Sequence, residues 1–185
     1  MLRWILRRMI AKFERQFNYD ASYARDVIEH APIGMVWLFL AARIVRKPKV
    51  LPLDVWIAAG LVGAMEADCG PCTQLGVRMA RQMGVADDVL RAVIAGDEDA
   101  MREDVRLVTR YARAALRHEI DADGYREEIV QRWGNDALVR LAYLITVADL
   151  FPKIKYALGH GQACTRVRVG SSDVVVGRLV PQGAV

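Results

Sequence analysis

Two cysteines, Cys69 and Cys72, enclose a Gly-Pro pair at the junction between a long apolar segment and an amphipathic one. Thiols three positions apart can close a small disulfide ring across the first turn of a helix. The unpaired amides and the positive dipole end of a helix N-terminus favour a thiolate there. Because the chain has only three cysteines, this placement indicates redox chemistry rather than a structural cross-link. The motif also predicts that a helix begins at these residues.

Length and composition describe a single folded domain. The chain has 185 residues, 54% of them apolar, and no long polar tract interrupts it. A chain of this size can bury a sizeable core. Its three cysteines are too few, and odd in number, for a secreted disulfide framework. The composition therefore predicts a folded protein of the reducing cytoplasm.

The positive charge of the chain is concentrated in residues 1–17. This segment holds five basic residues and one acidic residue, out of 26 and 22 in the whole chain, so the remaining 21 of each cancel. A nucleic-acid-binding protein would need a basic face on its body, with aromatic side chains to stack on bases. The sequence shows no such face, and we expect no nucleic-acid partner.

The same segment has the pattern of an amphipathic helix. Its apolar residues recur at steps of three and four, which leaves a basic outer face. One interpretation is that the apolar stripe packs on the core or on a neighbouring subunit. The other is a peripheral membrane contact through residues 1–17, because Trp4 and a face rich in Lys and Arg suit an anionic lipid surface.

The chain divides into three predicted regions. Residues 1–50 form an N-terminal helical arm, residues 51–160 a helical core that carries the cysteine pair, and residues 161–185 a tail with two short strands around a turn. The run from Ala31 to Ala42 is apolar but too short to span a bilayer, which predicts a buried helix. Residues 53–67 are apolar nearly all round and predict a central helix. The fold class is therefore all-α, with a short C-terminal β-hairpin.

Residues 53–118 carry a longer pattern around the cysteine motif. An apolar helix precedes the pair, and an amphipathic segment, a short helix closed by Gly96 and a long helix follow it. This order resembles the carboxymuconolactone decarboxylase superfamily, and more closely its alkylhydroperoxidase D-like branch, which keeps both cysteines. The segments that carry the resemblance are Cys69-Gly70-Pro71-Cys72, Met79 to Val85, Asp87-Asp88, Ile94 to Asp97 and Tyr111 to Ala114.

The resemblance implies both a fold and an activity. It implies an all-helical bundle that assembles as a homo-oligomer. It also implies that Cys69 and Cys72 form a redox dithiol, which reduces a small peroxide or a disulfide and is restored by a separate reductant. Either cysteine could be the attacking thiol. We therefore expect a cytoplasmic dithiol oxidoreductase that needs no bound cofactor.

Two positions depart from the family pattern. Gly76 stands where the family usually has a histidine, and Ile57 where it usually has a glutamate. Two other residues are candidates to carry protons instead. They are Glu66, one helical turn before Cys69, and His160, in a glycine-flanked segment. The structural alternative makes Glu66 a solvated carboxylate at a helix end and His160 an ordinary loop residue.

Other arrangements of the same residues are open at this point. His160 and Cys164 are four residues apart and share a face if their segment is helical. Together with Cys69 and Cys72 they would supply four ligands to a zinc ion, or Cys164 is simply a small buried residue. The alternative functions are a non-catalytic helical scaffold and, third, a carboxymuconolactone decarboxylase-like lyase.

Overall fold

The computed structural model describes residues 1–45 and 49–177. These residues form a mostly helical protein with a small antiparallel hairpin near the C-terminus, as the sequence predicts. The helices are α1 (Leu2–Phe17), α2 (Ser22–His30), α3 (Pro32–Ile44), α4 (Leu53–Glu66), α5 (Gly70–Gln82), α6 (Asp87–Ala95), α7 (Glu103–Arg117) and α8 (Ala122–Ala157). The strands are β1 (Arg166–Val169) and β2 (Ser172–Val175).

The central element is α4, which contacts α5, α6, α7 and α8. Its sequence is apolar nearly all round, so every side of the helix can be covered by a neighbour. Eight of its fourteen residues are buried. The predicted central position of this helix is confirmed. The main apolar core forms around it. The C-terminal hairpin region also contributes buried residues to this core, including Val167, Val169 and Val176.

Local backbone features shape α7 and α8. The long helix after Gly96 begins at Glu103, because the intervening residues form a turn in which the Ala100 amide donates to the Asp97 carboxylate at 3.3 Å. Further on, α8 has a kink at Gly134, whose backbone angles are non-helical, with φ 81°. Pro152 lies within the last turns of α8. Its ring is buried, and the apolar residues beside it hold the last turns against the protein.

The first three helices build a second apolar cluster. Its buried residues come from α1, α2, the segment between them and α3, and the end of α8 packs against it through Phe151 and Ile154. Here the prediction of a fully buried helix at Ala31–Ala42 is wrong. Met35 is buried, but Ile33, Trp37 and the rest of the opposite face of α3 are exposed, because neighbouring helices cover only one side of it.

The hairpin covers one side of α5 and α6. Arg166 pairs with Val175 and Val169 with Ser172, and the turn between the strands contains Gly170 at φ 64°. Residues along β1 alternate between exposed and buried, which is the pattern of a strand with one covered face. In the described ranges 1–45 and 49–177, none of the helices combines the length and the apolar character needed to cross a lipid bilayer.

Truncation of Leu141 tests the packing of α8 on the main core. This side chain is fully buried, whereas Val139 on the same helix is exposed. Leu141→Ala should lower the free energy of unfolding by about 2–5 kcal/mol, because it removes buried methyl groups and leaves a cavity. Val139→Ala should change it by less than about 0.5 kcal/mol. Urea unfolding followed by circular dichroism measures both, and equal losses would contradict the described packing.

Candidate functional site

The cysteine pair lies at the start of α5. Cys69 is the N-cap residue of this helix and is buried, and a disulfide with a Cα–Cα distance of 5.3 Å joins it to Cys72. The Cys72 amide also donates to the Cys69 sulfur at 3.3 Å. The helix start and the small ring both agree with the sequence prediction.

The chain that follows α8 crosses the start of α5. The Gly70 amide donates to the Gln162 carbonyl at 3.0 Å, and the Cys164 amide donates to the Asp68 carboxylate at 2.9 Å. The buried Cys164 thiol donates to the Thr73 hydroxyl at 3.4 Å. The third cysteine is therefore packed beside the pair but not bonded to it.

The structure does not bring Cys69, Cys72, His160 and Cys164 together as the expected alternative of a zinc site. In the part of the chain that the structure describes, no group of three or more His, Cys, Asp or Glu is placed to hold a metal ion. The physical reason is that two of the four residues are bonded to each other, while His160 directs both ring nitrogens to α2.

Glu66, one of the two residues expected to carry protons for the cysteines, is held by two arginines of α7. Arg117 Nε donates to Glu66 Oε2 at 2.6 Å and its Nη2 donates to Oε1 at 3.1 Å. The nearly buried Arg113 places its Nε 3.4 Å from the same carboxylate. A two-pronged guanidinium–carboxylate pair fixes the orientation of both side chains. Glu66 therefore joins the end of α4 to α7, and it is not the freely solvated carboxylate of the structural alternative.

An open cleft of about 520 Å³ borders Glu66. Asp149 and Lys153 of α8 also line it, and they form an ion pair with each other. Tyr156 closes one end, where its hydroxyl donates to the Asp68 carbonyl at 2.8 Å. The charged groups of this cleft are thus directed mostly at one another.

Gly76, where the resemblance would place a histidine, lies at a close contact between α5 and α4. A Cβ on Gly76 would lie 2.8 Å from Leu61 Cδ2, so a larger residue there would require the Leu61 side chain to move. Ile57, at the position of the family glutamate, packs against the main core. Both positions therefore serve helix packing in this chain.

His160, the second expected proton carrier, bonds to α2. Its Nδ1 lies 3.1 Å from Ser22 Oγ and its Nε2 lies 2.7 Å from Asp26 Oδ2. Ser22 and Asp26 are one helical turn apart, so they share a face of α2. Sequence reasoning missed these two residues. Their spacing of four was visible, but nothing in the sequence connected them to a histidine 134 residues away.

Lys155, near the end of α8, is a buried charged residue. Its Nζ lies 3.2 Å from the Tyr19 hydroxyl and over the rings of Tyr19 and Tyr23, at 5.0 and 5.5 Å from their centroids. Burial lowers the pKa of Lys155, while the nearby Asp20 carboxylate opposes that shift. Burial also raises the pKa of Tyr23, to about 12. The aromatic residues thus stabilise the end of α8 against the N-terminal helices.

The chain is similar to a known protein along most of its length. The chain is 27% identical over 177 residues to Ribonuclease Y from Syntrophobacter fumaroxidans. The matched region covers 90% of this chain, which spans about a third (32%) of the length of that protein. No family model matches the chain. No solved structure matches it.

The similarity contradicts the prediction of a dithiol oxidoreductase. It covers 90% of the chain, and the protein that it matches is named for a ribonuclease activity rather than for peroxide or disulfide reduction. The physical basis of the error is that the prediction extended a motif of a few residues to the chemistry of a family. The proton-carrying positions of that family, Gly76 and Ile57 here, are used for packing.

Gly70→Ala tests the contact between α5 and the chain that crosses it. A Cβ on Gly70 would lie 2.7 Å from the Ala163 carbonyl oxygen, which is a backbone atom with little freedom to move. The variant should lose about 1–3 kcal/mol of stability through this overlap, and Cys164 should react faster with a thiol reagent. Gly124→Ala in α8 is the matched control, since a Cβ there meets nothing within 4 Å. Unchanged Cys164 reactivity in both variants would contradict the contact.

Proposed function

We propose that this protein docks on anionic membrane surfaces through α1 and α3. The single observation that carries the proposal is that two contacting helices expose large apolar side chains, while one of them also carries a concentration of unneutralised positive charge. Exposed apolar surface of this kind on a folded protein marks an interaction site. Basic residues around it indicate a negatively charged partner.

The apolar part of the surface is clearest on α3. Ile33, Trp37 and Leu40 are exposed, with Trp37 67% exposed. Their spacing of four and three residues places them on one face of the helix, opposite the buried Met35. A tryptophan among aliphatic residues suits the boundary between lipid headgroups and hydrocarbon, because its ring is apolar and its N–H is polar.

α1 adds a second exposed stripe. Leu2, Ile5 and Met9 are exposed at steps of three and four, beside the buried stripe that contains Leu6 and Ile10. On another side of the helix Trp4 is 61% exposed, and the Arg8 guanidinium lies 5.0 Å from its ring centroid. The helix therefore offers apolar side chains and cations together.

The charge of α1 favours an anionic membrane over a second copy of this chain as the binding partner. Its one acidic residue, Glu14, is bound by Arg25 of α2, and Arg7 pairs with Glu29 of α2. The other basic residues of α1 remain in excess. Arg43 and Lys49 are also exposed at and after the end of α3. Two copies meeting through these helices would bring like charges together, whereas anionic lipid attracts each Lys or Arg by roughly 1 kcal/mol.

We also propose that α4–α7 form a bundle of the alkylhydroperoxidase D-like type. The order of elements supports this proposal: a buried apolar helix, a disulfide at the start of the next helix, a short helix closed by Gly96 in the left-handed conformation, and a long amphipathic helix. This concerns the fold only, since the activity of that branch is contradicted for this chain.

A second candidate function is RNA binding, and the similarity to a protein named Ribonuclease Y favours it. The same basic helix would then contact phosphates, and Trp4 would stack on a base. This candidate goes against the expectation that the chain has no nucleic-acid partner. It gives no role to the apolar face of α3, and we therefore place it second.

Vesicle co-sedimentation of single variants tests the membrane proposal. Arg8→Gln should weaken binding to anionic vesicles about fivefold, which corresponds to the roughly 1 kcal/mol expected for one charge. Arg91→Gln, which removes an exposed arginine of α6, should leave binding unchanged. Trp37→Ser should also weaken binding, and Val139→Ser on the exposed side of α8 should not.

Three outcomes would overturn the proposal. Equal binding to neutral and anionic vesicles would remove the electrostatic argument. Tight binding of single-stranded RNA that Arg8→Gln weakens and Trp37→Ser does not would favour RNA. Absence of vesicle binding, together with a dimer that Trp37→Ser dissociates, would show that a second copy covers α3.

A further inference from the structure

We propose that Ser22, His160 and Asp26 form a nucleophile–base–acid triad that hydrolyses small esters. The hydroxyl of Ser22 lies 3.1 Å from one ring nitrogen of His160, and the Asp26 carboxylate lies 2.7 Å from the other. This is the relation in which an imidazole takes a proton from a hydroxyl while a carboxylate orients the ring and stabilises its cation. The site is separate from the cysteine pair and from the lipid-facing side chains of α1 and α3.

Two distant parts of the chain build the triad. Ser22 is the first residue of α2 and Asp26 lies one turn further on, so both side chains project from the same face. His160 follows α8, and its amide donates to the Lys155 carbonyl at 2.8 Å. Gly159 precedes it with φ 79°, a conformation that turns the chain sharply and is costly for other residues. The backbone therefore holds the imidazole at α2.

The three residues are exposed to solvent to different extents. Ser22 and the His160 ring are partly buried, and Asp26 is half exposed. A small substrate can therefore reach the Ser22 hydroxyl from solvent. The surrounding helices still limit the motion of the imidazole, since both of its nitrogens have partners on one rigid helix.

The start of α2 can stabilise the negative oxygen that forms during acyl transfer. The positive end of the helix dipole favours an anion there. Of the first-turn amides, those of Ser22 and Ala24 already donate, to the Asp20 carboxylate and to the Ala21 carbonyl. The Asp20 carboxylate is also close: it accepts from the Ser22 amide at 2.9 Å, and its other oxygen accepts from the Ser22 hydroxyl at 3.3 Å, so this hydroxyl must turn toward His160 to give up its proton there. That amide holds the pKa of Asp20 below its usual value. A fixed anion beside the nucleophile repels acidic substrates, so the substrate class is neutral or cationic esters.

The reaction needs only an ester and water. Ser22 Oγ attacks the acyl carbon, and its proton passes to His160 Nδ1, while Asp26 stabilises the imidazolium at Nε2. The bond between the acyl carbon and the alcohol oxygen then breaks, and the proton at Nδ1 moves to the departing alcohol. A water molecule repeats the sequence on the acylated Ser22, which releases the carboxylic acid and restores the hydroxyl.

The full chain should therefore hydrolyse p-nitrophenyl acetate and react with a fluorophosphonate probe at Ser22. Peptide mass spectrometry locates the probe. Ser22→Ala should abolish labelling, and His160→Gln should lower the rate of ester hydrolysis by about 100-fold or more, which is the usual contribution of a general base. Ser171→Ala, in the exposed turn of the hairpin, should change neither.

Two further variants separate catalysis from loss of structure and from background chemistry. Ser22→Cys keeps a nucleophile in place and should remain reactive toward the ester while losing the fluorophosphonate label. Cys164→Ala removes the free thiol and should not affect labelling of Ser22. Circular dichroism and the unfolding midpoint report folding for every variant.

The proposal is overturned if the probe labels other residues but not Ser22. It is equally overturned if Ser22→Ala hydrolyses the ester at the rate of the unmodified protein. The three side chains would then be a polar bridge that fixes the segment after α8 to α2.

Discussion

The structure depends on the burial of α4 on all sides. A helix that is apolar around its whole circumference is stable only when other elements cover every face, and here four helices do so. At its C-terminal end the helix emerges next to charged groups, and the Glu66 carboxylate is fixed there by Arg117 and Arg113 of α7. The position of the disulfide follows, because Cys69 comes three residues after Glu66 and begins the next helix.

Much of the main core could be predicted from the sequence, because local patterns determine it. The all-round apolar segment, the Gly-Pro pair between two cysteines and the alternating residues of the hairpin each indicate one structure. α3 has an apolar pattern as strong as that of α4, yet one of its faces is exposed. Periodicity shows which residues avoid water, but it does not show how many neighbours are available to cover them.

Long-range partners account for most of what the sequence did not reveal. Lys155 lies near the end of α8, and Tyr19 and Tyr23, from a segment more than 130 residues earlier, enclose it. His160 similarly meets Ser22 and Asp26 instead of the cysteines. The cysteine motif led to a wrong activity for a related reason: it specifies the geometry of a ring and not the groups that surround it.

The course of α8 has a consequence for the way the protein loses its structure. The middle of this helix packs Leu141 and Ile145 into the main core, and its last turns pack Phe151 and Ile154 into the N-terminal cluster. The two clusters therefore share a structural element and are not independent units. Fraying of the last turns of α8 should proceed together with detachment of the first three helices, so amide hydrogens in both places should exchange with solvent through one common opening event.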